Sequence, residues 1–170
     1  MKKALVVLLL LPLGLGTVSA QTLKFAHIDR QAIIKLMPEM DSATRKLQAF
    51  EKNTMDQMDQ LQVEMNTKYQ DYLQKKDKLS PALLQAKEKE LQELQQRLQE
   101  YNYAAQKDYQ DLSNKLMGPV MDKCNQAIQK VGKANGYTYV FDSGMQLLIY
   151  ISDQSTDIMP LVKKELGITK

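Results

Sequence analysis

Apolar side chains recur at helical spacing along two long segments of the chain. In the first segment the intervals are three and four residues, at Leu47, Phe50, Thr54, Met58, Leu61, Met65, Tyr69 and Tyr72. This repeat keeps one apolar stripe nearly parallel to a helix axis. The second segment carries an equivalent stripe, formed by Leu84, Leu91, Leu94, Leu98, Tyr101, Ala105, Tyr109, Leu112 and Leu116. Each segment is therefore predicted to be a long amphipathic helix.

A single proline marks the break between the two helices. Residues 45–117 contain no glycine and no proline except Pro81. Ser80 supplies a capping hydroxyl, and proline suits the first turn of the helix that follows. We predict a helical hairpin with arms of roughly 50 Å, whose two stripes pack on each other. At Gly118-Pro119 the sequence leaves two alternatives: a bend in the second helix, or its end followed by a new helix over residues 121–133.

Short β-strand patterns flank the hairpin. They cover residues 23–28, 137–142 and 146–152, and the last two are predicted to form a tight hairpin through Ser143-Gly144. Short helices are predicted at residues 29–36 and 157–166. Because both faces of the predicted strands are largely apolar, so small a body cannot cover them alone. We predict an α+β, predominantly helical fold, in which a small β-sheet body oligomerises and a long α-helical hairpin projects from it.

These patterns divide the chain into three parts. Residues 42–117 form the hairpin arm, and residues 21–41 together with 118–170 form the body. The predicted oligomer interface is the set of apolar strand residues Phe25, Ile28, Tyr139, Val140, Phe141, Leu148, Ile149 and Tyr150. The arm carries flexible or amphipathic side chains that can contact many partner shapes, although packing between the helices also explains them. They are Met55, Met58, Met65, Tyr69, Tyr72, Tyr101, Tyr103 and Tyr109.

The N-terminus has the pattern of an export signal. Met1-Lys2-Lys3 precedes an apolar run over residues 4–15, and small residues follow up to Ala20. We predict a cleaved signal peptide over residues 1–20. The apolar run is shorter than the ~20 residues that a membrane-spanning helix needs. The mature chain is therefore expected to leave the cytoplasm without a membrane anchor.

The charge of the chain argues against nucleic-acid binding. Removing two lysines with the signal peptide leaves 21 basic and 20 acidic residues, a net charge of +1. The segment from residue 45 to 117 carries 12 of each. A protein that binds nucleic acid usually presents a basic surface, which this balance does not supply.

The sequence contains no recognisable catalytic or metal-binding motif. Cys124 is the only cysteine and His27 the only histidine, so an intrachain disulfide cannot form and a zinc site lacks ligands. A nucleophilic triad would have to use His27, and no glycine-framed nucleophile accompanies it. A phosphate-binding glycine loop is missing too. We predict no catalytic residues, no metal and no cofactor, and hence no enzyme activity.

Several blocks in the body resemble the Skp (OmpH-like) family of periplasmic chaperones. The similarity covers essentially the whole mature chain and is most specific at Gly136-Tyr137-Thr138-Tyr139-Val140-Phe141-Asp142 and the later Asp157-Ile158. It implies a homotrimer whose strands join in a small central barrel, with three helical tentacles enclosing a cavity. It also implies an ATP-independent holdase that binds unfolded outer-membrane β-barrel proteins in the periplasm.

One feature departs from the family and one rival interpretation stays open. Familiar members have strongly basic arms, whereas these arms are charge-balanced, so contact with membranes or lipopolysaccharide is expected to be weak at most.

The rival is a structural or adhesive coiled-coil envelope protein, in which the hairpins only span distance. Suppression of the aggregation of an unfolded protein separates the two.

Overall fold

The computed structural model describes residues 23–145 and 147–169, so the predicted signal peptide lies outside the described residues. The elements in chain order are β1 (Phe25–Ile28), α1 (Arg30–Leu36), α2 (Pro38–Lys75), a 3-10 turn (Lys76–Lys78), α3 (Pro81–Ala134), β2 (Tyr139–Asp142), β3 (Thr156–Asp157) and α4 (Met159–Glu165). The predicted fold, predominantly helical with a small sheet, is confirmed.

Helices α2 and α3 pack against each other as an antiparallel hairpin. The rings of Phe50 and Tyr109 lie 6.2 Å apart, and nearer the tip Arg97 donates to the Glu64 carboxylate at 2.9 Å. The cap of α3 is the predicted one, because the Ser80 hydroxyl accepts a hydrogen bond from the Leu83 amide and Pro81 follows it. At 38 residues, α2 is about 57 Å long.

Helix α3 continues without a break through Gly118 and Pro119 as far as Ala134. The predicted alternative of a helix end and a new helix over residues 121–133 is therefore wrong. Proline removes one backbone hydrogen bond, but packing on both sides holds the helix together. Beyond Pro119 the buried face continues at helical spacing with Val120, Cys124, Ala127 and Val131. One helix thus belongs to both the hairpin and the body.

The sheet is parallel and has the strand order β2-β1-β3. The first two predicted strands are confirmed in shortened form, but the third is wrong, since residues 147–152 are not in a strand and Gln146 lies outside the described residues. The predicted tight hairpin fails with it. Alternating apolar residues indicate strand propensity but do not encode the partner, and in this chain both edges of β1 are paired with β2 and β3.

One face of the sheet is covered by the body helices. Ala26 and Ile28 of β1 enter a core shared with α1, α3 and α4, whose other members are Ile33, Ile34, Met37, Val120, Cys124, Ala127, Val131, Ile158 and Val162. The two short predicted helices are confirmed as α1 and α4. Asp29 caps α1 by accepting a hydrogen bond from the Ala32 amide at 2.8 Å.

A polar cluster fixes the base of the hairpin to the sheet. The Arg30 side chain donates to the Asp142 carboxylate at 3.1 Å and to the Asn125 side-chain oxygen at 3.3 Å. These bonds join the start of α1, the end of β2 and the body part of α3. The sheet therefore determines where α3, and with it the hairpin, leaves the body.

Candidate functional site

The two apolar stripes of the hairpin pack on each other as predicted. Every stripe position in α3 is buried or half-buried, and so is every stripe position in α2 except Tyr69. Most of these side chains keep part of their surface in solvent, because two helices cannot enclose a stripe between them. The seam between the helices consequently presents apolar surface along the hairpin.

An open apolar groove interrupts this seam where two small side chains meet. The contacts of Phe50 with Tyr109 and of Glu64 with Arg97 set the register of the antiparallel helices and bring Thr54 level with Ala105. Because both side chains are short, they leave a groove of about 370 Å³. Its lining consists of Phe50, Glu51, Thr54, Met55, Met58, Asn102, Ala105, Gln106 and Tyr109.

Polar side chains share the lining of the groove with the apolar ones. The Tyr109 hydroxyl is hydrogen bonded to the Glu51 carboxylate, which raises the pKa of Tyr109 above its ordinary value. The phenol therefore stays neutral at physiological pH and holds its ring beside that of Phe50. The site can thus accept apolar groups of varied shape, and its charge at neutral pH comes from Glu51.

Ion pairs are added to the apolar seam on the tip side of the groove. Glu90 accepts hydrogen bonds from Lys68 and, at 3.0 Å, from Lys87, and the Tyr72 hydroxyl donates to Glu88 at 2.9 Å. The bond from Lys68, followed by that from Lys87, lowers the pKa of Glu90. The bond to Glu88 raises the pKa of Tyr72. Hydrogen bonds and ion pairs between α2 and α3 therefore join the two helices in the outer half of the hairpin.

The structure separates the predicted arm residues into three groups. Met55, Met58 and Tyr109 line the groove. Met65, Tyr72 and Tyr101 are half-buried in the seam, and Tyr69 is half-exposed at its edge. Tyr103 is 76% exposed and does not line the groove.

The predicted interface residues also divide between core and surface. Ile28 is only 1% exposed and belongs to the core of the single chain, against which Val140 is packed as well. On the opposite face of the sheet, the rings of Phe25, Tyr139 and Phe141 form a cluster with centroids 6.1 to 6.3 Å apart. Beyond them, Ile149 and Tyr150 are strongly exposed, whereas Leu148 is half-buried.

Cys124 and His27 have the most reactive side chains, and the surroundings of both are those of residues that support the fold. Burial raises the pKa of the Cys124 thiol, which lies in the core. His27 is hydrogen bonded through Nδ1 to the Ser155 hydroxyl at 2.9 Å, a contact between β1 and the residue before β3. Among the described residues, no group of histidine, cysteine or acidic side chains is arranged to hold a metal ion.

The sequence pattern alone did not predict the groove itself. Its additional lining residues are Phe50, Glu51, Thr54, Asn102, Ala105 and Gln106. A signal was present, since Thr54 and Ala105 are the smallest side chains of their stripes. Finding the groove required the register between the helices, which places the two at one level.

Comparison with known proteins identifies the family. Residues 24–166 match the model of the family described as outer membrane protein (OmpH-like). The crystal structure of a candidate OmpH-like outer membrane chaperone from Caulobacter crescentus CB15 has a similar fold, with a TM-score of 0.71 at 15% identity, over 85% of this chain and 83% of that one. No curated protein matches the chain significantly. None of the helices in the described part is long and apolar enough to cross a membrane. From the family match over most of its length, the chain belongs to the OmpH-like family.

Proposed function

We propose that the chain is an ATP-independent holdase chaperone that binds unfolded outer-membrane β-barrel proteins and prevents their aggregation. The observation that carries the proposal is the open apolar groove at Thr54 and Ala105 on a helical hairpin. Family membership and the fold similarity to an OmpH-like chaperone candidate support it.

The chemistry of the groove suits an unfolded client. A β-barrel precursor exposes alternating apolar side chains and unpaired strand edges. Met55 and Met58 are flexible, and the rings of Phe50 and Tyr109 provide broad apolar faces, so the groove can accept side chains of different shape. Many weak contacts of this kind retain a client and still allow its release.

A trimer of this chain would convert single grooves into a cavity. Two exposed apolar surfaces are available for association. One is the aromatic cluster of Phe25, Tyr139 and Phe141, and the other consists of Leu147, Ile149, Tyr150 and Ile151. We propose that copies pair through these surfaces in a central barrel, formed by residues 21–41 and 118–170. The hairpins, residues 42–117, would then enclose the client as three arms. Ile28 is not part of this interface, because the core of each chain already buries it.

The site of action in this proposal is the periplasm, reached through cleavage of residues 1–20. Residues 45–117 carry 12 basic and 12 acidic side chains, which provide little net attraction for acidic lipid or lipopolysaccharide. Binding to those surfaces is therefore weak at most in this account, and client contact depends on apolar groups.

Filling the groove tests the proposal. The mature protein should suppress the aggregation of an urea-unfolded outer-membrane β-barrel protein at stoichiometric ratios without ATP, measured by light scattering. Ala105→Leu places a larger side chain in the groove and should weaken suppression roughly threefold or more, whereas Ala104→Leu should not, since Ala104 is exposed outside the groove lining.

The outcome also separates the holdase from a structural spacer. A wild-type protein that gives no protection would favour the adhesive or structural alternative. Equal loss in both leucine variants would place the client elsewhere on the hairpin. Native mass spectrometry tests the trimer independently, and a stable monomer at micromolar concentration would contradict it.

A further inference from the structure

We infer that Met55 is an oxidation-sensitive switch of the groove: conversion of its thioether to the sulfoxide lowers the affinity of the groove for apolar clients. This inference rests on the proposed function and adds a regulation to that site. The observation behind it is the position of an accessible sulfur in the wall of the groove that Thr54 and Ala105 leave open.

Accessibility distinguishes Met55 from the other methionines of the hairpin. It is 65% exposed, whereas Met58 and Met65 are half-buried in the same seam. Met37, at the start of α2, is 1% exposed and belongs to the core. Because sulfoxide formation requires approach of the oxidant to sulfur, Met55 is expected to react before these three.

The reaction is a two-electron oxygen transfer. With hydrogen peroxide as the oxidant, the sulfur lone pair attacks the peroxide, the O–O bond breaks and a sulfur–oxygen bond forms. Methionine is oxidised to the sulfoxide and the peroxide is reduced to water. The product is polar where the thioether was apolar. No backbone movement is needed for the change to reach the groove.

The position of Met55 in the groove lining makes this change in polarity affect client binding. Phe50, Met58 and Tyr109 provide apolar surface beside Met55, and the polar groups of Glu51, Asn102 and Gln106 complete the lining. A sulfoxide oxygen in this position favours water over an apolar client side chain. A methionine sulfoxide reductase, which takes two electrons from thiols and releases the sulfoxide oxygen as water, would restore the thioether, so the effect is reversible.

The test combines peptide mass spectrometry with client capture. The mature protein is treated with graded hydrogen peroxide, and sulfoxide is located on each methionine. We expect Met55 to be oxidised before Met37 and Met65, and aggregation suppression to fall roughly threefold or more at that stage. For Met55→Leu, the suppression measured before treatment, whatever its level, should not fall after the same treatment. Met121→Leu, which removes an exposed methionine outside the groove lining, should lose suppression as the wild type does.

Two results would overturn the inference: oxidation of Met37 or Met65 before Met55, or full client capture by protein whose Met55 is oxidised. A Met55→Gln variant, with a polar side chain of similar length, provides a check without oxidant and should capture less client than Met55→Leu. If the untreated wild type protects no client, the proposed function is contradicted. If the untreated wild type protects the client and oxidation of Met55 leaves that protection unchanged, only the inference about Met55 is contradicted.

Discussion

At the scale of single residues, side-chain size determines where the hairpin is open. Thr54 and Ala105 meet at one level of the seam, and the larger Phe50 and Tyr109 close it on the body side. Where two small side chains face each other in a packed helix pair, they leave a space, because the helix backbones do not move closer together to fill it. The groove is thus a consequence of two positions, and a single substitution at Ala105 can remove it.

Cys124 illustrates a residue whose environment excludes reactivity. Its side chain is fully buried in the core, and desolvation raises the pKa of the thiol, so little thiolate forms at neutral pH. We expect a disulfide reagent to label native protein very slowly and urea-unfolded protein rapidly. Release of the coloured thiol product measures both rates.

A matched control defines the fast limit for this labelling. In a Cys124→Ala, Ala104→Cys double variant, the single thiol occupies an exposed position of α3 and should react quickly without urea. If native wild-type protein were labelled as fast as this control, the burial of Cys124 would be refuted.

At the scale of elements, α2 and α3 are joined by apolar contacts along the seam, and ion pairs are added towards the tip. Glu90 bridges Lys68 and Lys87, and the first of these hydrogen bonds makes the largest contribution to lowering the pKa of Glu90. A carboxyl whose pKa is lower in the folded state stabilises the fold above its unfolded pKa, near 4.3. That contribution is lost as the pH falls from this value through the lowered folded pKa.

The pH dependence of unfolding tests the bridge that Glu90 forms between the helices. Glu90→Gln should reduce stability at pH 7 by a small amount, on the order of 0.5 kcal/mol, and should have less effect at pH 3, because pH 3 lies below the unfolded pKa, where the stabilising contribution is being lost. Glu93→Gln is the control, because Glu93 pairs with Lys89 inside α3 and does not bridge the helices. Thermal unfolding followed by circular dichroism measures the difference. Identical pH profiles for the two variants would contradict a bridging role for Glu90.

The helical elements were predictable from sequence, and the sheet was predictable only in part. Periodicity and the Ser80-Pro81 cap are local signals, and they predicted the hairpin correctly. The strand partners depend on contacts between distant residues, so the predicted hairpin of residues 137–152 was wrong and β3 at Thr156–Asp157 was missed. The groove was missed for a similar reason, since Thr54 and Ala105 become neighbours only through the register of α2 and α3.

Continuity of α3 was the other feature that local signals did not decide. Pro119 interrupts the hydrogen-bond pattern, and a sequence pattern alone allows an end or a bend. Val120, Cys124 and Val131 are buried on the core side beyond it. This packing keeps α3 helical beyond Pro119 and within the body. The helix propensities of single residues do not predict such a contact.

At the scale of the whole molecule, the arm and the body are proposed to have separate tasks. Deleting residues 48–108 removes most of the hairpin, including the groove residues from Phe50 to Gln106, and leaves the core and the exposed aromatic cluster. We expect the shortened protein to assemble to the same copy number and to lose client protection completely. Native mass spectrometry and light scattering measure the two properties. Protection by the shortened protein would place the binding surface in the body.

The balance of charge on the arm predicts how salt affects client binding. Twelve basic and twelve acidic residues between positions 45 and 117 provide no net electrostatic attraction. Since salt screens interactions between charges and not apolar contacts, the affinity for an unfolded barrel protein should change less than about threefold between low and moderate ionic strength. Titration of a labelled client at two salt concentrations measures this. A steep loss of affinity with salt would show that charge holds the client.

The most direct test of the central claim is to locate the client on the hairpin. A photoreactive residue, p-benzoylphenylalanine, replaces either Gln106, which lines the groove, or Gln96, which lies on a glutamine-rich surface of the same helix. After irradiation with an unfolded outer-membrane barrel protein, crosslinked client should form strongly from position 106 and weakly from position 96. Equal crosslinking from both positions, or stronger crosslinking from position 96, would contradict the groove as the client-binding site.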